Sequence, residues 1–582
     1  MNLNTDLMAG PRRSRRRTGR WIFLMLVFVV AAASVMWWQA SHSANSSYVK
    51  PQYTSKPFPI MIQGKWTEAY AQGTEKGLLV PLPVAQSLLG DGVHYEEKTE
   101  SIILTTNTKV LHFKTGELDA TLNRKPFALT FAAKKVDGEL YLPLAPLTEL
   151  FGVKMEIGES SGIVSFFMPE QAVQHAAVPE KTVKGIKLRE GPGKSFAIVE
   201  DIPGGSDLRL WGESDGWYMA QSKSGNIGYV AKAGVSLLAI ETIDPVTSTD
   251  EPFVAWKGTG KRINLTWEAV YSANPDTSKI GALAGVNVVS PTWFELVDGK
   301  GKIRSIADSS YSTWARSKGI QVWGLFSNGF EPDRTHTALA SYESRFAMIQ
   351  QMLAYAKTFK LQGINIDFEN VYTKDKDNLV QFMREMTPIM HEQNLVVSID
   401  VTPISNSEMW SAFLDRERLG SIVDFMMVMA YDEHWAASPV AGSVSSLPWV
   451  ETSIKRILEE DGVPSDKLIL GMPLYTRMWT DNPTADKEED RMSSKTMDMD
   501  AVNELIKEKK LKPVYSEETG QNYVEFKEGT TIKKIWIEDA TSIQARALLA
   551  KKYNLAGVAS WRRGFESSDI WGVLDKELQS RP

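Results

Sequence analysis

The chain has 582 residues, more than one hydrophobic core accommodates, so about three or four domains are expected. Its 43% apolar and 23% charged residues describe a globular rather than a disordered protein. A net charge of -6, with no long basic block after residue 20, argues against nucleic acid as a partner. The absence of cysteine removes disulfides, thiol nucleophiles and thiolate metal sites. The histidines are scattered, and His391-Glu392 is not a zinc-protease motif because position 395 is Leu. No metal or organic cofactor is implied.

The first predicted element is a membrane anchor. A basic tail, residues 1–20, carries Arg12, Arg13, Arg15, Arg16, Arg17 and Arg20. An uncharged run follows from Trp21 to Trp38. As a helix it would span ~27 Å, close to a bilayer core. Trp21, Trp37 and Trp38 sit at its two ends, where interfacial aromatics belong. The expected location is the cell membrane, single-pass, with the arginines inside and the later domains outside. The competing reading is a secreted protein cleaved near Ser41-His42-Ser43-Ala44. Residues 39–57 are polar and read as a linker.

Residues 58–170 contain an internal echo. Val80-Pro81-Leu82-Pro83-Val84-Ala85-Gln86-Ser87-Leu88-Leu89-Gly90 returns as Leu142-Pro143-Leu144-Ala145-Pro146-Leu147-Thr148-Glu149-Leu150-Phe151-Gly152. Each copy reads as a strand, a Pro-started helix and a Gly stop. Between them, Ser101–Thr105 and Lys109–Phe113 alternate as β-hairpin strands. This α+β pattern resembles the domain named after the N-terminus of copper amine oxidases, a spacer or wall-contacting module on bacterial surface proteins; the name implies no copper here. Residues 180–238 carry Leu188-Arg189-Glu190-Gly191-Pro192-Gly193, Gly216-Trp217-Tyr218 and Gly228-Tyr229-Val230. They resemble a bacterial SH3-like domain, a small β-barrel that would bind cell-wall glycan or peptide. Gly193-Lys194-Ser195 is not a phosphate loop, since position 188 is Leu. Residues 239–260 are rich in Thr, Pro, Ser and Asp and read as a second linker.

From 261 to 577, strands alternate with amphipathic helices. Candidate strands are Ile263–Thr266, Val286–Ser290, Gln321–Phe326, Gly363–Asp367, Val396–Val401, Phe425–Ala430, Leu468–Met472 and Gly557–Ser560. A helix is predicted over Tyr342–Phe359. Eight such units define a TIM (β/α)8 barrel with a small insertion, and functional residues then belong at the C-terminal strand ends. Those ends carry aromatic rings and carboxylates, a mixture that suits sugar: Trp267 and Glu268, Trp293, Asp400, Tyr431 and Asp432, Tyr475 and Trp561.

The most informative end is Gly363-Ile364-Asn365-Ile366-Asp367-Phe368-Glu369. Strand alternation puts Asn365, Asp367 and Glu369 on one face and Ile364, Ile366 and Phe368 on the other. With Gln362 ahead, this resembles the strand-four signature of family 18 glycoside hydrolases, Asp-Gly-x-Asp-x-Asp-x-Glu, with two acidic positions changed. Met429-Ala430-Tyr431-Asp432, Gly471-Met472-Pro473-Leu474-Tyr475, Trp536-Ile537-Glu538-Asp539 and Trp561 extend the resemblance in order. By resemblance, Glu369 is the proton donor and the substrate's own N-acetyl oxygen is the nucleophile. Asp367 would stabilise the oxazolinium and Tyr431 bind the N-acetyl oxygen. Trp561 would form the floor, with Met429, Asp432, Tyr475 and Trp267 lining the pocket.

Asn365 replaces an Asp that normally shares a proton with the middle Asp. A neutral amide there is expected to let Asp367 ionise more readily and still hydrogen-bond it. The alternative role for Asp400 and Asp432 is as helix caps. Asn365 points to the branch of the family acting on spore or wall peptidoglycan. The expected function is hydrolysis of β-1,4-linked N-acetylglucosamine glycan, peptidoglycan or chitin-like. The alternatives are a non-catalytic glycan-binding surface protein, or a germination-associated surface protein acting through partners. Loops around Ser438–Pro448 and Thr480–Ser494 would govern whether cleavage is internal or terminal.

Overall fold

The structure is a computed structural model and describes residues 18–42, 44–53, 56–244, 253–256, 261–485, 487 and 491–579. It divides into two units, one of Met1–Gly90 with Thr130–Ser248, the other of Asp91–Leu129 with Thr249–Pro582.

In the first unit a 25-residue helix, Thr18–His42, covers the uncharged run from Trp21 to Trp38. Its apolar side chains from Trp21 to Val30 are exposed. Among the described residues, however, no helix is long and apolar enough to cross a membrane. The basic tail up to residue 17 lies outside the described residues. The internal echo forms as read. Strand Gly77–Pro81 runs into helix Leu82–Leu89, and strand Glu139–Pro143 into helix Leu144–Glu149. The two copies pair antiparallel, Leu142 beside Val80. Gly152, with φ 67, supplies a left-handed stop that a side chain would strain.

Residues 172–242 form one seven-stranded antiparallel sheet around Ala176, Val178, Leu188, Ile202, Leu208, Ala220 and Val230. Its flanking strands, Ala172–Ala177 and Ser236–Thr242, extend beyond the expected 180–238. The start of the supposed linker is therefore strand, while residues 245–252 and 257–260 lie outside the described set.

The second unit is built on eight parallel strands: β1 (Ile263–Glu268), β2 (Val288–Pro291), β3 (Gln321–Ser327), β4 (Gly363–Asp367), β5 (Val396–Val401), β6 (Phe425–Met429), β7 (Leu468–Pro473) and β8 (Gly557–Trp561). They follow one another around a closed ring, sealed by β8 beside β1 and by β2 beside β3. This is the expected TIM barrel, and each predicted strand falls within two residues of its place. The predicted helix Tyr342–Phe359 is present, capped by Ser341, whose hydroxyl accepts from the amide of Ser344.

The strands are buried on both faces, which is why they read as apolar runs. Ile364, Ile366, Val397, Ile399, Val428 and Leu470 pack outward into the helix layer. Leu265, Trp267, Trp323, Leu325 and Met427 fill the interior, with Phe253 and Trp256 packed against them. At Gly363 any Cβ would lie 2.7 Å from the Trp323 ring, so glycine alone lets β4 sit beside it. Between β7 and β8 the insertion forms a five-stranded antiparallel sheet, from Tyr475–Asp481 to Thr531–Ile537, with helix Met499–Glu508.

One part of the expected 58–170 domain belongs with the barrel. Residues 93–128 form a five-stranded antiparallel meander. Its Ile103 and Val110 join the hydrophobic core of the barrel's helix layer. His112 stacks on Tyr342 at 3.7 Å, and Glu96 meets the fully buried Arg345 at 2.6 Å. The hairpins were legible, but not what their apolar face covers.

Candidate active site

A cleft of about 690 Å³ opens at the C-terminal mouth of the barrel. Glu369, Asp367, Asp400, Tyr431, Met429, Asp432, Tyr475, Trp561 and Trp267 all line it. Apart from Asp400, these are eight of the nine residues expected at the site. The ninth, Asn365, lies beneath the surface, fully buried.

Alternation on β4 sets the arrangement. Phe368 turns outward, packed edge-on against Phe326 at 5.2 Å and stacked on Phe382 at 5.9 Å. Asp367 and Glu369 therefore turn inward. The backbone of Glu369 is clamped by the buried Asn328. That side chain donates through Nδ2 to the Glu369 carbonyl at 2.7 Å and accepts from its amide at 3.1 Å. Asn370 follows with φ 55, a left-handed turn that asparagine tolerates. Strand alternation does not announce Asn328, because its clamp joins residues 41 apart in the chain.

The electrostatics differ from expectation. Asn365 donates from Nδ2 to Asp400 Oδ2 at 2.8 Å, not to Asp367. Its Oδ1 accepts from Ser290 at 3.4 Å. Asp367 Oδ1 is sealed from solvent without a hydrogen-bond partner. The Asp367 carboxyl is pushed up to about 7 by burial, so the loss of a charged neighbour at position 365 is outweighed by desolvation. Burial, then the charges of Asp367 and Asp432, hold Glu369 well above the usual carboxylate range. Burial, then the charge of Asp367, does the same to Asp400. Both effects favour the protonated form of the Glu369 carboxyl. Burial and nearby carboxylates also raise the Tyr431 hydroxyl, which stays a donor.

Around this centre, Asp432 has φ 59, and its Oδ1 accepts from the Tyr475 hydroxyl at 2.7 Å and from Arg477 at 2.8 Å. Asp432 is therefore a hub of the cleft wall and Asp400 a strand-end cleft residue; neither caps a helix. Trp267 and Trp561 meet at 6.0 Å. Trp267 is 1% exposed and belongs to the barrel interior as much as to the cleft, because alternation tells its side but not its depth. Trp293 is core, tied to Asn274 at 2.6 Å. Glu268, at the end of β1, is held by Tyr311 at 3.1 Å and by Arg563 at 2.7 Å. Glu538 is structural: it is buried and paired with Arg546 at 2.6 Å. Phe330 and Trp410, 6.2 Å apart and about half exposed, form an apolar rim that no strand-end pattern announced.

Two buried carboxyls with raised proton affinity thus lie beside a tyrosine hydroxyl in a barrel mouth walled by aromatic rings, a setting suited to sugar. Residues 310–566 match the model for glycosyl hydrolases family 18. Residues 65–166 match the copper amine oxidase N-terminal domain. The chain is 26% identical over 342 residues to an uncharacterized glycosylase, YvbX, of Bacillus subtilis, covering 56% of this chain and 94% of that protein. It is 25% identical over 281 residues to the cortical fragment-lytic enzyme of the same organism, covering 47% of this chain and 62% of that enzyme. Among solved structures it is similar to the spore cortex-lytic enzyme SleL of Bacillus megaterium. That likeness has a TM-score of 0.49 and 21% identity, over 55% of this chain and 75% of the other.

Proposed function

We propose that the barrel hydrolyses β-1,4-linked N-acetylglucosamine-containing glycan, with peptidoglycan preferred to chitin, by substrate-assisted retaining catalysis. The observation that carries this reading is the buried Glu369 just past the end of β4, its carboxyl held above the usual range, two residues from Asp367 on one strand face. Carboxyls so placed do not straddle a sugar as the two acids of ordinary retaining enzymes do. Glu369 gives its proton to the leaving glycosidic oxygen. The substrate's N-acetyl oxygen closes on the anomeric carbon, Asp367 as carboxylate stabilises the positive oxazolinium, and Tyr431 donates to the N-acetyl oxygen. Water then opens the ring, with Glu369 recovering the proton. Trp561 is the floor under the reacting sugar, and Met429, Asp432, Tyr475 and Trp267 shape the pocket.

The preference for peptidoglycan rests on Asn365 and on the cortical fragment-lytic enzyme among the relatives. In the same reading Thr18–His42 anchors the chain to the cell membrane, and residues 180–238 act as an SH3-like wall-binding module. Incubation with purified peptidoglycan and with chitin oligosaccharides, followed by mass spectrometry, tests it. Fragments ending in reducing N-acetylglucosamine from peptidoglycan are expected. Cleavage of chitin alone moves the substrate, and no product from either overturns the reading.

A further inference from the structure

β4 and β5 run parallel, with Gly363 beside Val396, Ile364 beside Val397, Asn365 beside Ser398 and Ile366 beside Ile399. Continued one step, this register sets Asp367 beside Asp400. Neighbouring strands lie about 4.8 Å apart, and both side chains turn into the barrel mouth. Each carries one oxygen, Oδ1, that is sealed from solvent and lacks a hydrogen bond of ordinary geometry, although the Trp267 side chain lies near enough to Asp400 to favour its charged form. The other oxygen of Asp400 is held by Asn365 at 2.8 Å. Two adjacent carboxyls in a site this dry resist ionising together, and one proton held between them would serve the pair.

We propose that Asp400 is the proton-sharing partner of Asp367: the carboxylate missing at position 365 of β4 is supplied from β5, and Asn365 is the bracket that aims it. This deepens the function proposed above and rests on it. A proton passed from Asp367 to Asp400 leaves Asp367 as the carboxylate facing the substrate amide. The pair's total charge is unchanged, and no co-reactant is required. Asp400 is thus a positioning residue, acting through Asp367. The groups facing the pair are Glu369 and Asn365 from β4, Trp267 from β1, and Tyr431 after β6. Asp432 stands behind them, held by Tyr475 and Arg477. Among the described residues no cation is paired with either carboxyl.

The test combines activity with a readout that needs none. In the full chain, Asp400→Asn is expected to lower kcat about 100-fold with KM little changed. The acidic limb of the kcat/KM profile should move down by about one unit as Asp367 loses its like-charged neighbour. Adding Asn365→Asp to Asp400→Asn returns a carboxylate to β4 and should restore most of the loss. An unchanged kcat and profile, or a fall with an unshifted profile and no restoration, overturns the proposal. Independently, thermal unfolding at pH 8 of Asp367→Asn, Asp400→Asn and the double variant should give gains that are less than additive. Additive gains overturn the coupling. Non-additive gains in a chain that cleaves neither glycan uphold the carboxyl pair and reject the glycosidase reading alone.

Discussion

Replacing Arg345 by Met removes the one cation from a buried cluster joining residues 93–128 to the barrel. The Arg345 side chain is fully buried. It donates through Nε and Nη2 to Glu385 at 2.9 and 2.7 Å, through Nη2 to Glu96 at 2.6 Å, and through Nη1 to the Leu339 carbonyl at 2.8 Å. Methionine fills much of the space but leaves Glu385, also fully buried, with Gln381 as its remaining partner at 2.8 Å. Breaking a buried ion pair from one side costs ~3–5 kcal/mol. At roughly 2 °C per kcal/mol for a domain of this size, the Tm of the catalytic unit should fall by about 6–10 °C at pH 8. The pH dependence carries the reasoning further. Burial already holds the Glu385 carboxyl above its usual range, and loss of Arg345 raises it more. A raised carboxyl contributes its stability below the unfolded value and loses it as pH rises through the folded value. The deficit should therefore be full at pH 8 and smaller at pH 5. Urea and thermal unfolding at both pH values measure it. A loss under about 1 kcal/mol at pH 8, or an equal loss at both, refutes the buried charge as its source.

Two further substitutions probe the cleft. At pH 8 an ionised Asp367, raised from 3.8 to about 7, costs the fold up to about 4 kcal/mol. Asp367→Asn should raise the Tm there, show no gain below about pH 4 where the carboxyl is protonated in both states, and abolish glycan cleavage; a gain that ignores pH contradicts burial as the cause. Asn328→Ala frees the backbone of Glu369 and should lower kcat by about 10–100-fold while KM stays near the parent value. An effect on KM alone would mean that Asn328 shapes the rim rather than the acid.

Much of this site was legible because its information is local. Alternation along residues 363–369 put Asp367 and Glu369 on one face and Ile364, Ile366 and Phe368 on the other, and the barrel bears out both faces. The eight strands were legible because parallel strands covered on both sides must be apolar runs. What stayed hidden depends on neighbours distant in the chain. Alternation says which way Asn365 points but not that its amide reaches Asp400 across the strand gap. Asp400 in Val396–Val401 reads only as a strand-end carboxyl until its register beside Asp367 is known. Glu96 and Arg345, 249 residues apart, carry no mutual signal in sequence. The hairpins of residues 93–128 were plain, whereas their attachment to the barrel rests on what Ile103 and Val110 touch.

The central claim is that Glu369 is the acid that breaks a glycosidic bond. The direct measurement is release of reducing ends from purified peptidoglycan by the parent chain and by Glu369→Gln, with thermal unfolding of both as a control. The account predicts measurable release by the parent, a loss of at least about 100-fold in the variant, and a Tm at pH 8 that is unchanged or higher, since a buried carboxyl is replaced by a neutral amide. Equal release by the two proteins would contradict it.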